Sequence, residues 1–379
     1  MIPVQGRGDY MVRTVNQRCG QVLLLSVFLW LMLPTTVTAA DPAADGNSAQ
    51  HGVILQYHHI AEDTPPATSL SPEVFRGHLD ILAREGYTVW PLPRLVQALL
   101  DDKPVPDRTV VITFDDAYES IAKTAAPMLQ ERGFPFTVFV STDYVDRRQP
   151  GYMTWQQLRD LIHQGGNLAN HTRSHLHMLR RPEPVSKSHW HKRLRREVDD
   201  ARQRIREQTG EDWPYFAYPY GEADGELVAL IRDWGYLGFG QQSGAVDKRL
   251  LQSGMAPRFP FNEMYKDLDD FRTKASSLPL PLQEEEFSGW VFSEAVIPEL
   301  TLTLEDHRGS LNCFASGQGA IRVEAQDNNV YQVQANQPIP VGRSRYNCTL
   351  PVAGQQGRFH WYSRMWMRKK PDGSWYAEP

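Results

Sequence analysis

Three runs suited to burial, GVILQY (52 to 57), TVVITF (109 to 114) and FTVFV (136 to 140), recur along the first part of the chain. Apolar, β-branched runs of this length between turn signals read as strands covered on both faces, the pattern of a parallel sheet. The stretches between them carry helical periodicity instead. Pro72 suits the first turn of a helix with the stripe Phe75, Leu79 and Leu82, and a second helix is expected through Ile121, Ala125 and Met128. Trp155 to His163 reads as a short helix ended by Gly165 and Gly166. The next, with the stripe Leu194, Val198, Ala201 and Ile205, stops at Gly210. Such alternation predicts an α/β fold with a largely parallel sheet, compatible with a barrel.

With 379 residues the chain exceeds what one core usually organises, so two domains are expected. The composition changes at LPLPLQEEE (278 to 286), which reads as a linker. Beyond it Glu299 to Leu304, Ala320 to Ala325 and Val330 to Ala335 alternate without helix-length stripes. The expected division is a main domain over residues 51–280 and a small β domain over 287–379. A formal charge of −5 gives no general attraction to nucleic acid. The arginines at 195, 196, 202 and 204 are interleaved with Glu197, Asp199, Asp200 and Glu207, which reads as a solvated helix face.

Arg13 and Arg18 precede an apolar run from Val22 to Leu33, and Pro34 with TTVTAA leads to Ala40. This order is that of a secretory signal over residues 1–40, cleaved near Ala39 or Ala40, with an uncleaved anchor as the alternative. The run is shorter than the roughly 20 residues a bilayer span needs. No integral membrane span is therefore expected after cleavage, and the mature chain is expected in the periplasm or outside the cell. Of three cysteines, Cys19 lies before the run, leaving Cys313 and Cys348. In an oxidising compartment one disulfide between them is the economical reading; two unrelated buried thiols are the alternative.

Asp115 and Asp116 follow directly after TVVITF, at the carboxyl end of a buried strand, where ligands gather in parallel α/β folds. Adjacent carboxylates repel, and a nearby cation is the natural way to keep both ionised. Capping of the following helix would also explain the pair. His171 and His175 in NHTRSH are four apart, and with one carboxylate they make a three-ligand metal set that leaves a position for water. A solvated histidine pair is the bland alternative. In FAYPYG (216 to 221) a strand breaks at Pro219 and Gly221, giving either a plain turn or one that lends backbone N–H groups to an oxyanion.

In order, TFDD (113 to 116), HTRSH (171 to 175) and YPYG (218 to 221) make the chain resemble the polysaccharide deacetylases of the NodB-homology type over roughly residues 52–280. Tyr57-His58, PYGEA (219 to 223) and Pro257-Arg258 are similar to the branch acting on poly-β-1,6-N-acetylglucosamine in biofilm export. The resemblance implies a distorted (β/α) barrel and a polysaccharide substrate. It also implies a divalent metal on Asp116, His171 and His175, zinc first, with cobalt or nickel accepted by the same donors. Asp115 would then be the general base, and the backbone N–H of Tyr220 would face the oxyanion. Trp155, Tyr218 and Tyr220 are the aromatic candidates for stacking on sugar rings, core packing being the alternative for each.

Two departures from the family pattern stand out. The late Leu-x-His acid is missing, since no histidine lies between His191 and His307. His58 becomes the candidate acid with His59 as fallback, an ordinary structural histidine being the alternative. His163 and His177 read as bystanders. The arginine that usually precedes Pro-Tyr is replaced by Ala217, and Arg258 is the candidate substitute; a structural salt bridge would also explain it. Ala117 stands where many relatives have glycine. Two other functional readings remain: a weak glycan-binding protein using the aromatic end (Trp361, Tyr362, Trp366, Trp375, Tyr376), and an O-acetyl esterase using the same site.

Overall fold

The three buried runs become His51–Tyr57 (β1), Thr109–Asp115 (β2) and Phe136–Val140 (β3) in the computed structural model, which describes residues 48–377. The expected signal at residues 1–40 lies outside the described residues. Every side chain of β2 is buried, and each fully buried Val, Ile or Phe contributes about 1.5–3 kcal/mol. Pro72–Arg84 (α1) begins on the Ser71 cap, and Trp155–His163 (α2) on a Thr154–Gln157 capping box. Gly166–Asn170 (β4) leads to Lys187–Thr209 (α3), which ends on Gly210 in the left-handed conformation. The helix expected through Met128 is interrupted: a π-turn over Ile121–Ala125 precedes Ala126–Gln130, where Pro127 removes a ladder donor.

Tyr215–Ala217 (β5), Leu237–Phe239 (β6), Ala245–Asp247 (β7) and Phe259–Pro260 (β8) join the sheet, in the order β6-β5-β4-β3-β2-β1-β7, and Thr88–Val89 pairs with β2 off this path. All neighbours run parallel except β7 against β1. The sheet curls back on itself through one irregular segment. Ala256 bridges Phe239 of β6, while Phe259 and Pro260 pair in parallel with Leu55 and Gln56 of β1. This is the distorted barrel expected of the fold. The carboxyl ends of β1, β2, β4 and β5 open on the same rim.

The segment expected as a linker is strand instead. Leu278–Pro279 pairs with Phe359–Arg368, and Leu282–Phe287 (β9) pairs with Glu299–Leu304 (β10). Proline is tolerated in this first pairing because it lies at the edge of its sheet. Asn312–Ala315 (β11), Arg322–Ala325 (β12), Val330–Gln334 (β13), Gly342–Pro351 (β14) and Phe359–Arg368 (β15) build two facing sheets around a common apolar core. Cys313 and Cys348 sit opposite one another on β11 and β14 and form a disulfide. The strands do not stand apart from the barrel: Met365 packs with Phe216 and Tyr218, and Trp361 meets Phe259 edge to face at 5.2 Å. No helix of the described residues is long and apolar enough to cross a membrane.

Candidate active site

Asp115 is the last residue of β2, and Asp116 turns away from the strand with φ +74°. The left-handed bend sends the two carboxylates in different directions. Asp115 points into the barrel, fully buried, against the equally buried Arg258. Arg258 Nη1 donates to Asp115 Oδ1 at 2.7 Å and Nη2 to Oδ2 at 2.8 Å, a bidentate pair. Arg258 Nε donates to the Gly240 carbonyl at 2.9 Å, so the guanidinium is fixed at both ends. Gln56 of β1 adds a third donor to Asp115 at 2.6 Å. Burial alone would push the Asp115 carboxyl up, but the Arg258 charge, His171 and the hydrogen bonds from Arg258 together outweigh it and hold the group below its ordinary value.

Asp116 turns toward the two histidines. Its Oδ1 lies 3.2 Å from Nε2 of His171 and 3.2 Å from Nε2 of His175. His171 is aimed by a 2.9 Å contact of its Nδ1 with the Ala217 carbonyl, which leaves Nε2 facing the carboxylate. The loop carrying both rings is pinned from below. Thr172 N donates to Asn170 Oδ1 at 2.8 Å, His175 N to Thr172 Oγ1 at 2.9 Å, and Ser174 through N and Oγ to Glu197 at 2.9 Å. Glu197 is therefore no part of a solvated face, as its charged neighbours suggested, but a buried anchor on α3. The three donor atoms lie within 4.8 Å of one another, and Asp116 Oδ1 and His171 Nε2 are buried without a hydrogen-bond partner. Orphaned buried polar atoms are costly, and a divalent cation among them is what this donor set fits. Burial lowers His175 to about 4, so it is neutral near pH 7, as a ligand must be.

Strain gathers at the same place. Of ten non-glycine residues with positive φ among the described residues, four (Asp116, Thr172, His175 and Tyr220) lie in the three motifs, and a fifth, Ala117, directly follows the first. Each such conformation costs roughly 1–2 kcal/mol for an L-residue, and clustering of this kind marks functional sites. Ala117 has φ +64°, a conformation that glycine adopts without strain.

The Pro219–Gly221 turn is held from both sides. Arg343 of β14 donates to the Tyr220 carbonyl at 2.7 Å. The buried Glu222 accepts from Arg180 at 2.7 Å and from the Tyr376 hydroxyl at 2.6 Å, and its Oε2 lies 3.0 Å from His177 Nδ1. His177 in turn stacks on the Tyr220 ring at 3.7 Å. His177 is thus a support of the turn, contrary to its reading as a bystander. Burial would raise Glu222, yet hydrogen bonds from His177, Arg180 and Tyr376 hold it down to about 2.

Two of the expected stacking residues are misplaced for that work. Tyr218 is fully buried and its hydroxyl donates to the Gly254 carbonyl at 2.7 Å, so it has no face to offer a sugar. Trp155 donates to Asp146 at 2.7 Å under Arg204, on the helical layer. The aromatic wall beside Asp116 consists instead of Tyr118, whose ring lies 4.9 Å from that of Tyr152, with Tyr144 stacked on Tyr152 at 4.5 Å. His59 stacks on Tyr118 at 3.5 Å, and burial lowers it to about 4. His58 follows β1 on the rim and acts electrostatically on Asp115, Asp116 and His175. His163 ends α2.

The sequence profile of the family described as polysaccharide deacetylase matches residues 102–239, from before Asp115 to beyond Tyr220. Over that span the chain is similar to the polysaccharide deacetylases. It is 26% identical over 239 residues to poly-beta-1,6-N-acetyl-D-glucosamine N-deacetylase of Escherichia coli K12, covering 53% of this chain and 35% of that one. The chain thus spans about a third of that relative's length. Among solved structures, the fold is similar to the Streptococcus pyogenes deacetylase PplD in complex with acetate (TM-score 0.53, 20% identity, covering 60% of this chain and 99% of that one). It is also similar to IcaB from Ammonifex degensii (TM-score 0.52, 22% identity, 60% and 98%). The deacetylase profile ends before Arg258, which reaches the site from the segment that closes the sheet.

Replacing Arg258 by Ala strands a buried carboxylate, which costs about 3–5 kcal/mol. Chemical denaturation of Arg258→Ala should show that loss; unchanged stability would mean that water reaches Asp115. For Glu222 the folded pKa lies below the ordinary 4.5. Its contribution to stability is therefore full above about pH 4.5 and lost as pH falls toward 2. Melting temperatures of wild type and Glu222→Gln should differ most at neutral pH and converge toward pH 2; a gap independent of pH would contradict the assignment.

Proposed function

We propose that the protein removes N-acetyl groups from an N-acetylglucosamine polymer, an exported poly-β-1,6-linked chain in particular, with a divalent ion, zinc first, held by Asp116, His171 and His175. The observation that carries this reading is the buried Asp115–Arg258 pair standing beside the Asp-His-His set at the strand ends. When bound, such an ion polarises a carbonyl and makes water acidic. The chain's own groups do the rest. Asp115, kept ionised by Arg258, takes a proton from the attacking water. The Tyr220 backbone N–H donates to the oxyanion that develops on the acetamide carbonyl, from a turn fixed by Arg343 and Glu222. His58 on the rim delivers the proton that the departing amine needs. The tyrosine wall of Tyr118, Tyr144 and Tyr152 borders the sugar; burial pushes Tyr152 up to about 12, so it stays neutral at working pH.

The N-terminal signal and the Cys313–Cys348 disulfide support export to the periplasm or beyond. The rival reading of a weak glycan-binding protein drew on the missing motif arginine, and Arg258 supplies an arginine to Asp115. The aromatic end that motivated it is mixed in placement: Trp366 and Tyr362 are buried.

The direct test measures acetate release from N-acetylglucosamine oligomers and from O-acetylated xylan, for wild type and Asp115→Asn, with and without zinc. Zinc-loaded wild type should act on the oligomers, and Asp115→Asn should lose about 10²–10⁴-fold in kcat. No release from either substrate by the loaded enzyme would sink the enzymatic reading. Release that survives Asp115→Asn would remove Asp115 as the base.

A further inference from the structure

The strand that braces the Tyr220 turn continues into a cleft for which the chemistry above has no use. Side chains alternate faces along a strand, and on β14 the inward set is Ser344, Tyr346, Cys348 and Leu350, all buried. The other set, Arg343, Arg345, Asn347 and Thr349, faces the barrel. Arg343 ends on the Tyr220 carbonyl. Arg345, Asn347 and Thr349 then line a cavity of about 260 Å³ between the sheet and the barrel. At ~3.4 Å per residue the row from Arg343 to Thr349 runs roughly 20 Å, the reach of a short oligosaccharide lying along the strand.

The walls suit a sugar. Phe314 pairs with Asn347 and Trp361 with Thr349 across the sheet, so both rings stand on the barrel-facing side. Tyr265 faces them from the loop after β8. Tyr265 is 39% and Phe314 45% exposed, unusual for large aromatics in a folded chain. An aromatic face receives the apolar face of a pyranose, while amide and guanidinium groups beside it meet hydroxyls and acetamides. The charge is also selective. Of the charged lining groups, Lys274 pairs with Asp270, and Arg345 has no carboxylate partner among the described residues. A cleft left with one uncompensated cation repels a protonated amino sugar, while the carbonyl of an N-acetyl group can accept from Arg345.

We propose that this cleft is a glycan subsite, holding N-acetylated sugars of the same polymer whose neighbouring residue sits at the Tyr220 turn. It rests on the deacetylase reading for its substrate class. Because the cleft adjoins the strand that braces the turn, it gives the C-terminal sheets a role in chain-length preference.

The test uses the zinc-loaded full chain and the double variant Tyr265→Ala/Phe314→Ala, whose rings lie at the surface; melting temperature reports folding. Acetate release is followed on N-acetylglucosamine oligomers from dimer to hexamer, and binding of acetylated and fully deacetylated hexamers is measured by calorimetry. The proposal expects KM for the hexamer to rise about tenfold, the equivalent of one aromatic contact, with the dimer unaffected. It also expects the acetylated hexamer to bind wild type more tightly than the amine form. Equal effects on dimer and hexamer, no effect on either, or preference for the amine form would overturn it. Should wild type release no acetate at all, the deacetylase reading fails separately, and loss of acetylated hexamer binding in the variant still decides the cleft.

Discussion

The ion pair between Arg258 and Asp115 is the constraint from which the rest of the site follows. Both groups are completely buried, a situation that costs several kcal/mol per ion unless geometry and hydrogen bonds compensate. Here they do: two bonds join the pair, Gln56 adds a third donor to the carboxylate, and the Gly240 carbonyl takes the remaining guanidinium edge. Because Arg258 lies on the segment that closes the curled sheet, the closed fold is what brings to Asp115 the charge that keeps it ionised. The barrel cannot shut with the arginine elsewhere without leaving a carboxylate alone in its interior.

From that fixed point the strained backbone makes sense. Asp115 is spoken for inside the barrel, so Asp116 must turn out, and it does so through two consecutive left-handed residues. The histidine loop and the Tyr220 turn carry the same kind of strain, and each has its own restraint, Glu197 under the first and Glu222 with Arg343 around the second. Such conformations persist only where surrounding contacts over-determine them. One of those contacts comes from β14, so the C-terminal sheets contribute to the shape of the site rather than hanging from it.

The strands were legible because β-branched runs have a short, sharp signature, and the ligand set because Asp116, His171 and His175 stand at strand ends in a recurring order. Arg258 was reachable only through the resemblance to known deacetylases, since it lies 143 residues from the carboxylate it pairs with. Gln56, Glu197 and Glu222 were missed for the same reason: their partners lie 59, 23 and 45 residues away. Gln56 did leave a trace, a lone amide inside the otherwise apolar run GVILQY. The 278–286 segment was misread because its prolines resemble a linker, yet Pro279 lies at a sheet edge and Pro281 falls between two strands, so neither removes a needed hydrogen bond. Tyr218 was misjudged because an aromatic motif says nothing about which way its ring turns.

The separate roles of Asp115 and Asp116 can be read from a crystal structure of the zinc-soaked protein with anomalous scattering at the zinc edge. One strong peak should lie among Asp116 Oδ1, His171 Nε2 and His175 Nε2, with Asp115 outside the coordination and still paired to Arg258. A zinc ion bound elsewhere, or one ligated by Asp115 with Arg258 displaced, would contradict those roles.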